Sequence, residues 1–222
     1  SAEEAFFDAQ LITIDESTSL PADLKGKEEE GHIAIVNKPV NHTLVEDFCH
    51  KQGITPAAFY LSATYYIAAR YCNTHDVQIC TISNGRSNVQ IADTVGMFVN
   101  TLPLVGHIDD ITVGEFLRKT ADDFTSTLSH ENYPFAKVAQ KYGTRAELMY
   151  EYQLGVIEEQ TVNGEVVTIA SMHLEKPKFK TAIKILNVKG QVCVNLAYND
   201  ELYSADYMER LADSYAAVVE NL

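Results

Sequence analysis

The segment Val95-Gly-Met-Phe-Val-Asn-Thr-Leu-Pro-Leu104 carries the strongest structural signal in this chain. Its β-branched and large apolar residues predict an extended stretch that runs from Val95 to Val105. Asn100 and Thr101 interrupt the apolar run at a place where burial is expected. Buried polar groups need hydrogen-bond partners, so the segment predicts a strand whose polar pair is satisfied inside the fold.

Two other stretches have an unusual local chemistry. Ile82-Ser-Asn-Gly-Arg86 is a turn of small residues that follows a predicted buried strand. His130-Glu-Asn-Tyr-Pro-Phe135 is an aromatic and proline break between two predicted helices. Taken alone, the first stretch fits a glycine turn with an exposed arginine, and simple loop packing accounts for the second.

Helices and strands alternate along the rest of the chain. Capping boxes at Thr43–Glu46 and Thr112–Glu115 predict two helix starts, and Thr55-Pro56 predicts a third, which is apolar on most sides. A final amphipathic helix begins after Ser204. Strands are predicted at His32–Asn37, Val77–Ile82, Leu148–Val156, Val166–Ala170, Thr181–Val188 and Val192–Tyr198, the last two around a Lys189-Gly190 turn. The pattern predicts an α/β fold, with helices packed on a mixed sheet that has an antiparallel part.

The composition narrows the function classes. The 222 residues include 17 Lys and Arg against 31 Asp and Glu, a formal charge of −14. This acidity disfavours both non-specific nucleic-acid binding and docking on anionic lipid. No apolar run approaches the ~20 residues that span a bilayer. The four cysteines are scattered, which favours free thiols in a reducing compartment: Cys49, Cys72, Cys80 and Cys193.

A search for catalytic and metal-binding signatures gives nothing. The chain has no phosphate-binding glycine loop, no Gly-x-Ser-x-Gly elbow and no dinucleotide fingerprint. His130-Glu131 begins like a zinc-protease motif, but the second histidine would fall at Pro134. The seven histidines are isolated from one another, so no metal site is predicted.

In this order and at this spacing, the three stretches resemble the condensation domains of nonribosomal peptide synthetases. Residues 95–104 resemble the family's Gly-x-Phe-Val-Asn-Thr segment, and residues 130–135 resemble its His-Gln-Asp-Tyr/Leu-Pro-Phe segment. Gly85-Arg86 matches an upstream turn. Thr144–Met149 is similar to a later Ser-Arg-x-Pro-Leu-Phe segment, although Glu147 replaces its proline. The residues from Val194 to Tyr203 resemble the closing strand, so the resemblance covers nearly the whole chain.

The resemblance implies a chloramphenicol-acetyltransferase-like lobe, one of two that meet around a tunnel. Peptidyl or acyl carrier proteins bring thioesters into such a tunnel, where an amide bond forms. The phosphopantetheine belongs to these carriers, so no bound cofactor is expected here, and the location would be cytoplasmic. The residues implied to line or support the tunnel are Gly85, Arg86, Gly96, Phe98, Val99, Asn100, Thr101, His130, Pro134 and Phe135.

One departure from the family dominates the functional expectation. The family's catalytic signature is His-His-x-x-x-Asp-Gly, yet this chain contains neither a His-His pair nor an Asp-Gly dipeptide. We therefore expect the carboxy-terminal lobe alone, inactive without its amino-terminal partner lobe and with no catalytic residue of its own. Residues 1–30 would be a lobe-linker helix with an exposed connection, and residues 31–222 the lobe. Val105 also replaces an arginine that is common in the family.

Three further readings stay open. The chain could be a binding module for a carrier protein, or part of a cyclisation or epimerisation domain, or a stand-alone acyltransferase of the same superfamily. A lobe without its partner should expose an apolar patch that faces the cleft. The only obvious basic docking candidate in this acidic chain is the cluster Lys176, Lys178 and Lys180.

Overall fold

The architecture is a six-stranded mixed sheet with helices on both faces. The computed structural model describes residues 1–14, 16–86, 94–155, 160–167 and 176–221. The helices are α1 (Ala2–Leu11), α2 (His42–Gln52), α3 (Pro56–Cys72), α4 (Val113–Ser129), α5 (Phe135–Tyr142) and α6 (Ala205–Asn221). The strands are β1 (Ile33–Pro39), β2 (Asp76–Ser83), β3 (Asn100–His107), β4 (Leu148–Tyr152), β5 (Gln160–Val162), β6 (Glu165–Val167), β7 (Thr181–Val188) and β8 (Gln191–Asn199).

The strand order in the main sheet is β1-β8-β7-β4-β2-β3. The central pairs β2–β4 and β4–β7 are parallel, whereas β2–β3, β7–β8 and β1–β8 are antiparallel. The short strands β5 and β6 form a separate two-stranded ribbon. This topology confirms the predicted α/β class and its antiparallel part.

The main core lies between the sheet and helices α2, α3, α4 and α6. Helix α3 supplies much of it, because eleven of its residues are buried. Buried tyrosines keep their hydroxyl groups satisfied: Tyr215 donates to the Tyr60 carbonyl oxygen at 2.7 Å, and Tyr150 donates to that of Ala57 at 2.6 Å. The nearly all-apolar pattern of α3 therefore reflects its central place in the fold.

A second, smaller core lies on the opposite face of the sheet, near β3. Helices α1 and α5 cover this region through Phe7, Leu11 and Val138, which pack against Val105 of the strand. Lys141 of α5 also pairs with acidic side chains of α1, at 2.6 Å to Asp8 and 2.9 Å to Glu4. The predicted amino-terminal helix is thus fixed to the strand that carries the Asn-Thr motif.

Several predicted element boundaries are confirmed. The Lys189-Gly190 turn joins β7 and β8, with both residues in the left-handed region at φ 52° and 85°. Thr112 and Glu115 form the expected capping box, and Ser204 accepts from the Tyr207 amide at the start of α6.

Other expectations need correction. Helix α2 is capped by Asn41, whose side chain accepts from the Leu44 amide, so the capping box at Thr43 was wrong. The expected strand from Val95 begins only at Asn100. Within the connection expected to be exposed, Thr18 and Leu20 are buried. The predicted strands that end at 156 and 170 run partly outside the described residues.

Candidate functional site

The three motif stretches meet at one corner of the sheet. β2 ends at Ser83, which lies directly opposite Asn100, the first residue of β3. The loop that follows α4 approaches the same point and contributes residues 130–135. The motif stretches named by the resemblance therefore lie together, although they are separated by up to about 50 positions in the chain.

Asn100 is the link between the strand and the loop. Its side-chain amide donates to the carbonyl oxygens of Glu131 and Tyr133, each at 2.8 Å. The expectation that this polar residue finds buried partners is confirmed. Thr101 follows in β3, opposite Ile82, and its hydroxyl makes no hydrogen bond with any described residue.

The turn after β2 is tied to the segment before β3. Gly85 has a φ of +64°, and a Cβ atom there would lie 2.1 Å from the Phe98 carbonyl oxygen, so only glycine fits. The Arg86 guanidinium donates to the carbonyl oxygens of Thr94 at 2.8 Å and Gly96 at 2.9 Å. It also lies over the Phe98 ring, 4.7 Å from the centroid. Arg86 therefore organises this segment.

The loop after α4 is fixed by packing as well as by Asn100. The His130 ring stacks on Phe6 of α1, with ring centroids 3.9 Å apart and an interplanar angle of 5°. Its Nδ1 atom lies 2.8 Å from the Ser126 carbonyl oxygen. Pro134 is the N-cap of α5, and Phe135 packs into the apolar clusters on this face. These contacts assign His130 to holding the loop.

Sequence reasoning did not single out Ser83 and Glu131, the two buried polar residues of the site. Both are nearly inaccessible, at 7% and 5% exposure. The Ser83 hydroxyl forms a hydrogen bond with a Glu131 carboxylate oxygen. Ser83 also accepts from the Gly85 amide at 3.1 Å. Both residues lie inside the quoted motif stretches. The signal available in the sequence was the acidic residue Glu131 directly after His130.

Apolar side chains project from the same corner of the site. Val95 is fully exposed, Met97 is 90% exposed and Val99 is 54% exposed. Ile82, at the end of β2, is also exposed. A rigid polar base therefore lies beside an open apolar flank, as expected for a surface that covers or contacts another body.

Within the described ranges, no group of three or more His, Cys, Asp and Glu side chains could hold a metal ion. The described helices include none that is both long and apolar enough to cross a bilayer. Two of the three lysines in the predicted basic docking cluster have partners within this chain. Lys176 donates to the Glu29 carbonyl oxygen at 2.9 Å, and Lys180 pairs with Glu147 at 2.9 Å.

Comparison with known proteins matches the whole chain to one family. A family model described as "Condensation domain" covers residues 1–222. Bacitracin synthase 1 from Bacillus licheniformis is 24% identical over 180 residues, which is 77% of this chain and 3% of that synthase. Tyrocidine synthase 3 from Brevibacillus parabrevis is 24% identical over 184 residues, 76% of this chain and 3% of that protein. The chain thus spans a small part of these relatives.

Solved structures share the fold. A four-domain nonribosomal peptide synthetase, holo-AB3403 bound to AMP and glycine, superposes with a TM-score of 0.81 at 18% identity, over 99% of this chain and 19% of that one. The condensation domain of the Monacolin K polyketide synthase MokA gives 0.76 at 15% identity, over 99% and 56%. The epimerization domain from the third module of tyrocidine synthetase B gives 0.72 at 16% identity, over 99% and 55%. The expected chloramphenicol-acetyltransferase-like fold is confirmed.

Proposed function

The chain belongs to the condensation-domain family, and from this premise we propose that it provides the carboxy-terminal lobe of a condensation domain that forms amide bonds. Such a domain joins aminoacyl or peptidyl groups carried as thioesters on carrier proteins. In this proposal residues 1–30 are the lobe linker and residues 31–222 the lobe. The lobe contributes one wall of the tunnel, and the chemistry belongs to the partner lobe.

The observation that carries this proposal is the Asn100 anchor. It joins the Phe-Val-Asn-Thr strand to the His130–Phe135 loop, which supports the proposal that both motif stretches belong to one wall. The superposition on the MokA condensation domain includes 99% of this chain but only 56% of MokA's, a proportion that suits one of two lobes. The absence of His-His-x-x-x-Asp-Gly from all 222 residues supports the same division.

The proposed partners follow from this placement. Carrier proteins would approach the tunnel with their own phosphopantetheine arms, and this chain would hold no cofactor of its own. The exposed Val95, Met97 and Val99 side chains beside a rigid polar base suit the aliphatic parts of such an arm. The location inferred for this assembly is cytoplasmic.

The test begins with the coding sequence immediately upstream, which should contain the His-His-x-x-x-Asp-Gly motif. The chain alone and the chain joined to that upstream lobe are then assayed for amide formation between two loaded carrier proteins. We expect product only from the joined protein, and none after replacement of the second motif histidine by alanine. Product from this chain alone, above a no-enzyme control, would refute the division of labour.

A second candidate, a carrier-protein binding module, is favoured by the open apolar flank. Titration of a phosphopantetheinylated carrier protein into the labelled chain, followed by NMR, distinguishes it. Shift changes confined to residues 94–99 would favour docking by this lobe alone. The shared fold also leaves cyclisation and epimerisation open, but epimerisation domains generally depart from the Phe98–Thr101 sequence that is present here.

A further inference from the structure

We infer that Glu131 is a positioning residue: its buried carboxylate, acting through the Ser83 hydroxyl, fixes the Gly85-Arg86 turn and thereby the Phe98 side of the candidate tunnel wall. The inference deepens the proposed function and rests on it for the word tunnel. Its physical content is a hydrogen-bond relay between three parts of the chain that meet at the corner of the sheet.

The first step concerns the direction of the hydrogen bonds. An ionised carboxylate offers only acceptor sites, whereas a serine hydroxyl has one proton and two lone pairs. At the contact between Ser83 and Glu131, the serine hydroxyl donates and the carboxyl oxygen accepts. The serine lone pairs are then left to accept from the Gly85 amide, at 3.1 Å. The carboxylate therefore sets the orientation of the hydroxyl that holds the turn.

The second step concerns what the turn holds. Gly85 lies against the Phe98 carbonyl with no room for a side chain. Arg86 then binds the carbonyl oxygens of Thr94 and Gly96 and covers the Phe98 ring. A change in the turn therefore reaches the segment that carries the exposed apolar side chains.

The third step separates Glu131 from Asn100. Asn100 binds the main-chain carbonyl of Glu131, so replacement of the Glu131 side chain leaves that bond in place. A substitution at 131 thus removes the carboxylate while keeping the Asn100 anchor. Both ends of the relay are buried, so a hydrogen bond lost there is not readily replaced by one to water.

The experiment measures tryptic cleavage after Arg86 in the folded chain by mass spectrometry, relative to cleavage after the exposed Arg118 in α4. Trypsin must take the Arg86 side chain away from the Thr94 and Gly96 carbonyl oxygens, so cleavage reports local opening of the turn. The variants are Glu131→Ala, Ser83→Ala, their double mutant and Glu131→Gln. Glu209→Ala, an exposed position on α6, is the matched control.

We expect Glu131→Ala and Ser83→Ala each to raise the relative cleavage about tenfold, which corresponds to ~1.4 kcal/mol. Glu131→Gln keeps an acceptor oxygen and should raise it only about threefold. Because both residues act in one relay, the double mutant should again show about tenfold.

Three results would overturn the inference. A double mutant near a hundredfold would mean that the two residues act independently. A variant equal to Glu209→Ala would mean that the relay holds nothing. Equal acceleration at Arg118 would mean that Glu131 supports the whole lobe. None of these readouts uses condensation activity, so a failure of the proposed function leaves them interpretable.

Discussion

Replacement of Asn100 by alanine is the sharpest test of how the site is built. The change removes two hydrogen bonds of 2.8 Å and leaves the carbonyl oxygens of Glu131 and Tyr133 without their donor. Each net hydrogen bond contributes about 0.5–1.5 kcal/mol, so the free energy of unfolding should fall by about 2 kcal/mol. For a domain of this size, the loss corresponds to a decrease in Tm of about 4–8 °C.

The measurement is urea unfolding at pH 7, followed by circular dichroism. Thr101→Val is the matched control: it changes the next residue of β3 without changing its size, and the hydroxyl that it removes bonds to no described residue. We expect the control to stay within about 0.5 kcal/mol of the parent. A loss below ~0.5 kcal/mol for Asn100→Ala, or an equal loss for Thr101→Val, would refute the anchor.

Asn100→Asp tests whether residue 100 must donate hydrogen bonds, because aspartate has nearly the shape of asparagine but no donor when ionised. The introduced carboxylate would face two carbonyl oxygens, so at pH 7 it should destabilise more than alanine does. In the folded state the pKa of this carboxyl should lie above its unfolded value, because only the protonated form can donate. Its penalty relative to Asn100→Ala is then smallest below the unfolded pKa and grows as the pH rises through the folded pKa.

Three further predictions concern packing, charge and the thiols. Gly106→Ala should destabilise by about 1–3 kcal/mol in urea, because its Cβ would lie 2.5 Å from the Tyr65 ring, whereas Gly114→Ala in α4 has space and should stabilise by up to ~1 kcal/mol; equal effects would contradict this reading of the packing. Lys141→Met should raise the pKa of Asp8, which the lysine ammonium holds below its usual value, and an NMR titration of Asp8 measures this change. The stability lost relative to the parent should be present at neutral pH and disappear as the pH falls through the carboxyl range. An unchanged Asp8 titration would contradict the prediction. Burial raises the pKa of all four cysteine thiols, so iodoacetamide at pH 8 should leave the folded chain largely unmodified and give four adducts in denaturant by intact mass; rapid labelling of the folded chain would contradict this.

Local chemistry explains what could be predicted from the sequence. The α/β class, the Lys189-Gly190 hairpin and the need of Asn100 for partners all depend on residues close together in the chain, where propensity and capping act directly. The strand expected from Val95 was too long for a reason outside its own sequence. β2 ends at Ser83, which pairs with Asn100. The residues that precede Asn100 therefore have no part of β2 to pair with. Apolar content alone could not reveal that limit.

Tertiary contacts explain the rest. Thr18 is buried because its hydroxyl accepts from the Gln78 amide and its own amide donates to the Gln78 carbonyl oxygen. Nothing in residues 17–30 predicts that fit. Glu131 is similar: an acid in a loop is usually solvated, and only the convergence of three distant segments buries it. Local patterns in a single sequence predict least well which polar residues are buried by partners far away in the chain.

Fixed and exposed residues lie close together at this corner of the sheet. Asn100, Ser83 and Gly85 are held by hydrogen bonds or close packing, so the base of the site is fixed within this chain. Val95 and Met97, only a few residues earlier, project into solvent and gain nothing from the lobe itself. Because the base is preorganised, a partner that covers these side chains need not order the backbone beneath them. In the function proposed above, this surface would set its part of the tunnel's shape before a partner arrives, because the hydrogen bonds of its base are already formed.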